Sequence, residues 1–450
     1  MKKNKEIELN IEKTEFPGFG VGYYEGKKVK IKGSVKGEKV IAKITKARGK
    51  RIEAAIVEIL EPSPLRKDPI CPHYGVCGGC SNQVVPYDIE LEYKKEQVLD
   101  LFEKGDIEYN LPIEIEKSPE ENEYRNKMEY SFGDFVKDGD LTIGMHAKGS
   151  SFSVITTDQC KIVDEDFRKI LRLTLDYFID KEVKPYKVLS QVGYLRNLVV
   201  RKAKNTGEIL INLVTTSQVD FNLDELLDLY KNQEYLGKLT GVLHTFNDSL
   251  SDAVYADSID VLYGRDYIYE ELLGLKFKIS PLSFFQTNSK GAEKLYSIVR
   301  DFIGESKDKT IFDLYCGTGT IGQIVAKDAK KVIGIELIEE AVVKANENAK
   351  LNGLSNCNFI AGDVGKIVSD IKENPDVIIL DPPRPGVSKE ALAKVIEFNP
   401  KEIIYVSCNP KSLVENLAVL TEAGYEIKDV KLMDMFPHTP HVETVVLLRR

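Results

Sequence analysis

The sequence predicts an α/β protein. Its C-terminal part is expected to be a seven-stranded, mostly parallel sheet flanked by helices, preceded by a small β-barrel and a mixed α+β central region. Three observations predict this. From about Leu275 onward, short β-branched apolar runs alternate with helix-period segments, the pattern of parallel strands joined by right-handed crossovers. The first of those runs leads into a glycine-rich turn, Cys316-Gly317-Thr318-Gly319-Thr320-Ile321-Gly322. Residues 6 to 60, by contrast, alternate in twos between glycines, with no helical period.

At 450 residues the chain exceeds one hydrophobic core, and a prior of roughly 150 residues per domain predicts about three. The expected division is 1–63, 64–272 and 273–450. In the first unit, strands are read at Ile7–Ile11, Gly18–Gly22, Lys28–Ile31, Val40–Ile44 and Ala54–Ile59, and five such strands suit a closed barrel. Pro62 and Pro64 end the last one. Through Gly18-Phe19-Gly20-Val21-Gly22 and Val35-Lys36-Gly37-Glu38-Lys39-Val40, this unit resembles the TRAM domain, an OB-like RNA-binding barrel.

Charge distribution points the same way. The whole chain carries 62 − 71 = −9, yet residues 1–51 hold 15 Lys plus Arg against 6 Glu, or +9, leaving −18 for the rest. A basic module on an acidic body is a footprint for a polyanion. No apolar run approaches a membrane span or a signal-peptide core, so a cytoplasmic protein is expected, with no obligate protein partner evident.

The central region is the least regular. Two of its segments, Tyr124-Arg125-Asn126-Lys127 and Gly193 to Arg201, mix cations and aromatics; they read as RNA contacts or ordinary exposed strand edges. Cys71, Cys77 and Cys80 lie in one glycine-containing loop, and Cys160 is a fourth candidate. Seven cysteines at irregular spacing argue against a disulfide framework, so four clustered thiols imply zinc or an iron–sulfur cluster, and spacing leaves both open.

In the C-terminal unit, strands are expected at Thr310–Leu314, Lys331–Glu336, Asn358–Ala361, Asp376–Leu380 and Glu402–Val406, with two more within 425–448. A helix is expected from Ile338 to Asn352, closed by Gly353. Glu336 ends the second strand, where a carboxylate can accept hydrogen bonds from ribose hydroxyls. That context suits a dinucleotide or S-adenosylmethionine. The fourth strand ends in Asp381-Pro382-Pro383-Arg384, whose prolines keep the backbone out of helix and present Asp381 at the ligand edge. The glycine loop followed by Asp-Pro-Pro resembles class I, Rossmann-like S-adenosylmethionine methyltransferases.

The fifth strand delivers Ser407-Cys408-Asn409-Pro410 to the same edge. Cys408 precedes a helix N-terminus, whose dipole is expected to lower its thiol pKa. Cys316 and Cys357 are expected to pack. Glu443 enters the last strand at a position where excluded water would raise its pKa toward a general base's range.

Together with Phe284-Phe285-Gln286-Thr287-Asn288 and His441-Val442-Glu443-Thr444, these runs resemble the RNA uracil methyltransferases that form 5-methyluridine, over nearly the full length. The resemblance implies that Cys408 adds to the uracil ring and that Glu443 removes the proton from carbon 5. It places Gln286, Tyr315, Glu336, Asp363 and Asp381 around S-adenosylmethionine. It favours a 4Fe–4S cluster on Cys71, Cys77, Cys80 and Cys160, with zinc as the alternative. It implies 23S ribosomal RNA as the partner, with transfer RNA as the close rival. A binding factor with a vestigial cofactor pocket is the non-enzymatic alternative.

Overall fold

The computed structural model describes residues 2–251, 254–367, 371 and 373–450, the side chain of residue 367 excepted. The N-terminal unit has six strands: β1 (Glu6–Asn10), β2 (Lys13–Glu15), β3 (Phe19–Tyr24), β4 (Lys27–Lys32), β5 (Lys39–Arg48) and β6 (Arg51–Glu61). They run in the order β1-β5-β6-β4-β3-β2. The sixth strand, β2, was not expected. It continues β1 around a bend, where the Ile11 amide donates to the Glu38 carbonyl and the Glu12 amide to that of Val21, both at 2.8 Å. One bent strand thus bridges the two ends of the sheet. Closure explains a glycine: a Cβ on Gly22 would lie 2.2 Å from the Asn10 carbonyl oxygen. Not all of the basic charge is free, since Glu15 is ringed by Lys13, Lys28, Lys30 and Lys104, and against its burial Lys28 and Lys30 hold its carboxyl down at about 2.

After the cysteine loop come α1 (Tyr87–Lys104) and the short β7 (Glu114–Glu116), then β8 (Lys127–Asp134), β9 (Leu141–His146), β10 (Val154–Thr156) and α2 (Glu165–Asp180). β11 (Leu195–Lys202), β12 (Glu208–Thr215), α3 (Asp224–Asn232), β13 (Lys238–Phe246) and β14 (Ser258–Gly264) complete the central sheet, ordered β10-β9-β8-β11-β12-β13-β14. Apolar residues of α2 and α3, such as Phe167, Phe178 and Tyr230, pack on it. The reading of Gly193 to Arg201 as an exposed edge or RNA contact is overturned. β11 lies in mid-sheet, almost wholly buried, and Arg196 and Arg201 spend their guanidinium donors on backbone carbonyls.

The C-terminal unit follows: β15 (Ile268–Leu272), β16 (Leu275–Ile279), α4 (Ser289–Ile303), β17 (Thr310–Leu314), α5 (Thr320–Ala326), β18 (Lys331–Glu336), α6 (Glu339–Leu351), β19 (Cys357–Ala361), α7 (Val364–Ile367), β20 (Val377–Leu380), α8 (Lys389–Glu397), β21 (Glu402–Ser407), α9 (Pro410–Glu422), β22 (Glu426–Met433) and β23 (Glu443–Arg449). The main sheet runs β19-β18-β17-β20-β21-β23-β22-β7. Its first five strands are parallel, and β23 is inserted antiparallel between β21 and β22. That insertion separates it from the dinucleotide-binding order, in which the sixth strand lies beside the fifth. Seven strands come from the expected segments. An eighth, β7, pairs parallel to β22 from residues 114–116. Three residues with one apolar side chain carry too little periodicity to be read as a strand.

Residues 87–116, grouped with the central region in the sequence, pack on this sheet instead. Val98 and Phe102 of α1 join a core with α8 and α9 on one face, while α4, α5 and the β15–β16 hairpin cover the other. That hairpin spans the expected boundary at 272/273. The join between α1 and the sheet is ionic. Lys94, 1% exposed, lies 2.8 Å from both Glu90 and Asp434, and His438 Nδ1 lies 3.5 Å from Glu90. This network fixes the 434–441 segment that leads into Glu443.

Candidate active site

Parallel strands deliver their carboxyl ends to one edge, and the strand order reverses between β17 and β20, which opens a crevice there. Every expected catalytic or donor-site residue except Gln286 and Glu443 follows or ends one of these strands: Tyr315 after β17, Glu336 in β18, Asp363 after β19, Asp381 after β20 and Cys408 after β21. Glu443 opens β23. Because Ser407 pairs with Thr444 in the antiparallel β21–β23 ladder, one further step of register sets Cys408 across from Glu443.

In the glycine loop, Glu336 accepts hydrogen bonds from the Gly317 and Ile338 amides, each at 3.0 Å, which leaves lone pairs for a ligand. Among the described residues other than its chain neighbours, none has an atom within 4 Å of where a Gly317 Cβ would be. Gly319 serves packing as well as approach: its φ is +70°, and a Cβ would meet the Phe359 ring at 2.6 Å. Tyr315, not a glycine, also takes a left-handed φ of 64°, a strain that marks functional turns. Burial and the charge of Asp363 push its hydroxyl up to about 12. Asp313, in β17 just before this loop, is a further buried carboxyl there. It accepts from the Gly322 amide at 2.8 Å, and burial together with Asp381 raises it to about 8.

Gln286 stands apart, on the loop between β16 and α4, where its backbone carbonyl accepts from Asn126 Nδ2 at 3.0 Å. Asn288 caps α4 and reaches Ser118 and the Met435 carbonyl, tying this loop to the 434–441 segment.

The reactive cluster is Cys408, Glu443, Asp381 and Arg384. Burial, then Asp381, raises the 5%-exposed Glu443 to about 8, the direction expected, and burial raises Asp381 to about 7. The expectation of a lowered Cys408 pKa is overturned. Asn409 does cap α9, accepting from the Lys411 amide, but burial and the two carboxylates outweigh the helix terminus and drive the thiol up to about 11. Arg384 is the opposing cation acting on both Cys408 and Glu443. Its backbone is locked by Asn409 Nδ2 and Ser412 Oγ, each donating to its carbonyl at 2.9 Å. The motif Asp381-Pro382-Pro383-Arg384 assigns Arg384 no role, because a side chain's reach is not visible in spacing. Cys316 and Cys357 pack as expected, both thiols raised by burial.

Cys71, Cys77, Cys80 and Cys160 line one cavity of about 360 Å³, whose wall also holds Arg384 and His441. All seven cysteines are free. Burial and neighbouring thiols raise Cys80 to about 12 and Cys160 to about 11. Among the described residues, no three His, Cys, Asp or Glu side chains are grouped to grip a metal ion. None of the helices is long and apolar enough to cross a membrane, again among the described residues.

A sheet with this inserted strand, a glycine-loop crevice at its switch point and buried carboxylates beside it defines an S-adenosylmethionine-dependent methyltransferase. Residues 86–450 match the family model described as tRNA (Uracil-5-)-methyltransferase, and residues 2–57 match the TRAM domain. The chain belongs to that family and is an RNA (uracil-5) methyltransferase. It is 62% identical to an uncharacterized RNA methyltransferase of Clostridium tetani, over 100% of this chain and 99% of that one. It is 52% identical to one of Caldanaerobacter subterraneus, over all of both chains. Among solved structures, it resembles the Pyrococcus abyssi tRNA (uracil-54, C5)-methyltransferase in complex with S-adenosyl-L-homocysteine. There the TM-score is 0.79 at 26% identity, covering 98% of this chain and 100% of that one.

Proposed function

We propose that this enzyme methylates carbon 5 of a uridine through a covalent adduct on Cys408, with Glu443 as the base. The observation that carries this reading is the cluster itself. A thiol and two carboxyls are desolvated at one edge, and none of the three side chains has a hydrogen bond or ion pair to another residue among those described. Such groups are costly unless a substrate uses them.

S-adenosylmethionine, when bound, supplies an electrophilic methyl group, and Gln286, Tyr315, Glu336, Asp363 and Asp381 would hold it. The open space at Gly317 and the spare lone pairs of Glu336 fit a ribose there. Carbon 5 of uracil is a weak nucleophile, so the chain must activate it. The Cys408 S–H bond breaks, its proton passing to solvent while Glu443 stands in its ionised form, and a sulfur–carbon 6 bond forms, making carbon 5 enolate-like. Once carbon 5 carries the methyl group, Glu443 takes its proton, the sulfur–carbon 6 bond breaks and the thiolate leaves. Arg384 offsets the negative charge that passes through the site. The uridine must leave its stack to reach a half-buried thiol at the sheet edge.

For Cys71, Cys77, Cys80 and Cys160, the reading is a 4Fe–4S cluster rather than zinc. A shared cavity of about 360 Å³ accommodates the larger group. It would brace the central domain against the 436–441 segment and perform no step. Iron, sulfide and zinc content of protein prepared anaerobically tests this reading.

The partner is read as 23S ribosomal RNA, in a reducing cytoplasm that suits free thiols. Transfer RNA is the second reading, favoured by the name of the Pyrococcus abyssi enzyme, whose likeness spans the barrel as well. Incubating the protein and S-adenosylmethionine with 5-fluorouridine-containing 23S RNA or transfer RNA tests both points, because fluorine cannot leave as a proton. A trapped adduct on Cys408 is expected with one of them. An adduct on another residue, or none on either RNA, sinks the mechanism.

A further inference from the structure

The loop between β16 and α4 has no regular structure, yet central-domain side chains and amides seize its carbonyls one after another. Arg201, in β11, donates from Nε to the Pro281 carbonyl at 2.9 Å and from Nη2 to that of Ser283. Asn126, just before β8, donates its amide to the Thr287 carbonyl at 2.8 Å, and its Nδ2 to the Gln286 carbonyl at 3.0 Å and to Ser289 Oγ at 2.8 Å. The Lys202 amide donates to the Asn126 carbonyl at 2.9 Å, so both clamps sit on one piece of sheet.

Arg201 is an expensive way to hold a loop. It is 3% exposed, and no carboxylate lies within ion-pair distance of it among the described residues. Lys127 faces it across the strands, and Glu129, the nearby negative charge, is already paired with Lys127. Burial pulls its guanidinium down to about 10. A buried cation facing another cation and solvated only by carbonyls is unfavourable unless its geometry is needed. A planar fork reaching two carbonyls at once is a geometry lysine cannot copy.

We propose that Arg201 and Asn126 are positioning residues for methyl-donor binding: they set the 281–287 loop and so the place of Gln286. This rests on reading Gln286 as a donor-site residue. Affinity for the donor is then governed by the central sheet rather than by the methyltransferase core alone.

The test compares R201M, R201K, N126A and Q286A in the full chain. S-adenosylhomocysteine binding by calorimetry is measured alongside KM for donor, KM for RNA, kcat and Tm. For R201M and N126A, donor Kd and KM are expected to rise on the order of tenfold, one hydrogen bond's worth, with kcat and RNA KM held within about twofold. R201K recovers part, since an ammonium can serve one carbonyl. Unchanged donor affinity in folded R201M and N126A overturns the proposal, as does a parallel fall of every parameter with Tm. If R201M fails to fold, N126A and R201K decide. Q286A separates the two readings: unchanged affinity there defeats the role of Gln286, whereas weakened affinity beside normal R201M and N126A defeats the clamp.

Discussion

Replacing Glu443 by glutamine is expected to stabilise the fold while abolishing turnover, and the gain should depend on pH. In the native protein the carboxyl holds its proton up to about pH 8, against an ordinary value of 4.5, because burial and Asp381 oppose its charge. In the unfolded chain it ionises near 4.5. Between those values the native state binds the extra proton, so stability falls as pH rises, by about 1.4 kcal/mol per unit. Over the roughly 3.5 units involved, the cost reaches about 4 to 5 kcal/mol at pH 8 and then levels off. Part of that cost is shared with Asp381, whose own value is about 7, so the two are not additive. The substituted amide carries no charge and escapes the penalty. Melting both proteins by calorimetry at pH 5, 6.5, 8 and 9 should show nearly equal Tm at pH 5 and a gap on the order of 10 °C at pH 8, at about 2 to 4 °C per kcal/mol for a domain of this size. Turnover should drop by about 10²- to 10⁴-fold, as for loss of a general base, and the Cys408–RNA adduct should accumulate with natural uridine. A pH-independent gap, or a variant less stable at pH 8, would refute the claim that burial has raised this carboxyl.

Cys408→Ala should retain S-adenosylhomocysteine binding and form no adduct, with methylation lost in a tritium-transfer assay; retained activity would mean a mechanism without a covalent step. Lys94→Met removes the cation that Glu90 and Asp434 share, and breaking a buried network of this kind costs about 3 to 5 kcal/mol, read as a lowered denaturant midpoint at pH 7. Gly319→Ala meets both a φ of +70° and the Phe359 ring, so donor binding should weaken on the order of tenfold or more; calorimetry with S-adenosylhomocysteine would show whether the loop tolerates it.

The strand and helix pattern after Leu275 was legible because fully buried parallel strands are continuous β-branched runs, as in Val377–Leu380. Glycine loop, Asp-Pro-Pro and Cys408 were legible for a related reason: in such a sheet, whatever follows a strand reaches one edge, so order in the chain becomes adjacency in space. The +9 segment, the expected Ile338–Asn352 helix and the end of the barrel at Pro62 are likewise properties of local composition and backbone sterics.

Tertiary structure decided the rest, because it turns on which distant groups share a desolvated space. The helix terminus at Cys408 is one local dipole, while burial, together with Glu443 and Asp381 brought in from the ends of two other strands, reverses the sign. Arg196 and Arg201 read as surface cations until a mid-sheet position buried them against carbonyls. Likewise β7 is a strand only because β22 offers it an edge. Sequence alone determined which chemical groups reach the catalytic edge; the fold determined their charge state, since electrostatic energies depend on distance and burial, which local sequence order does not specify.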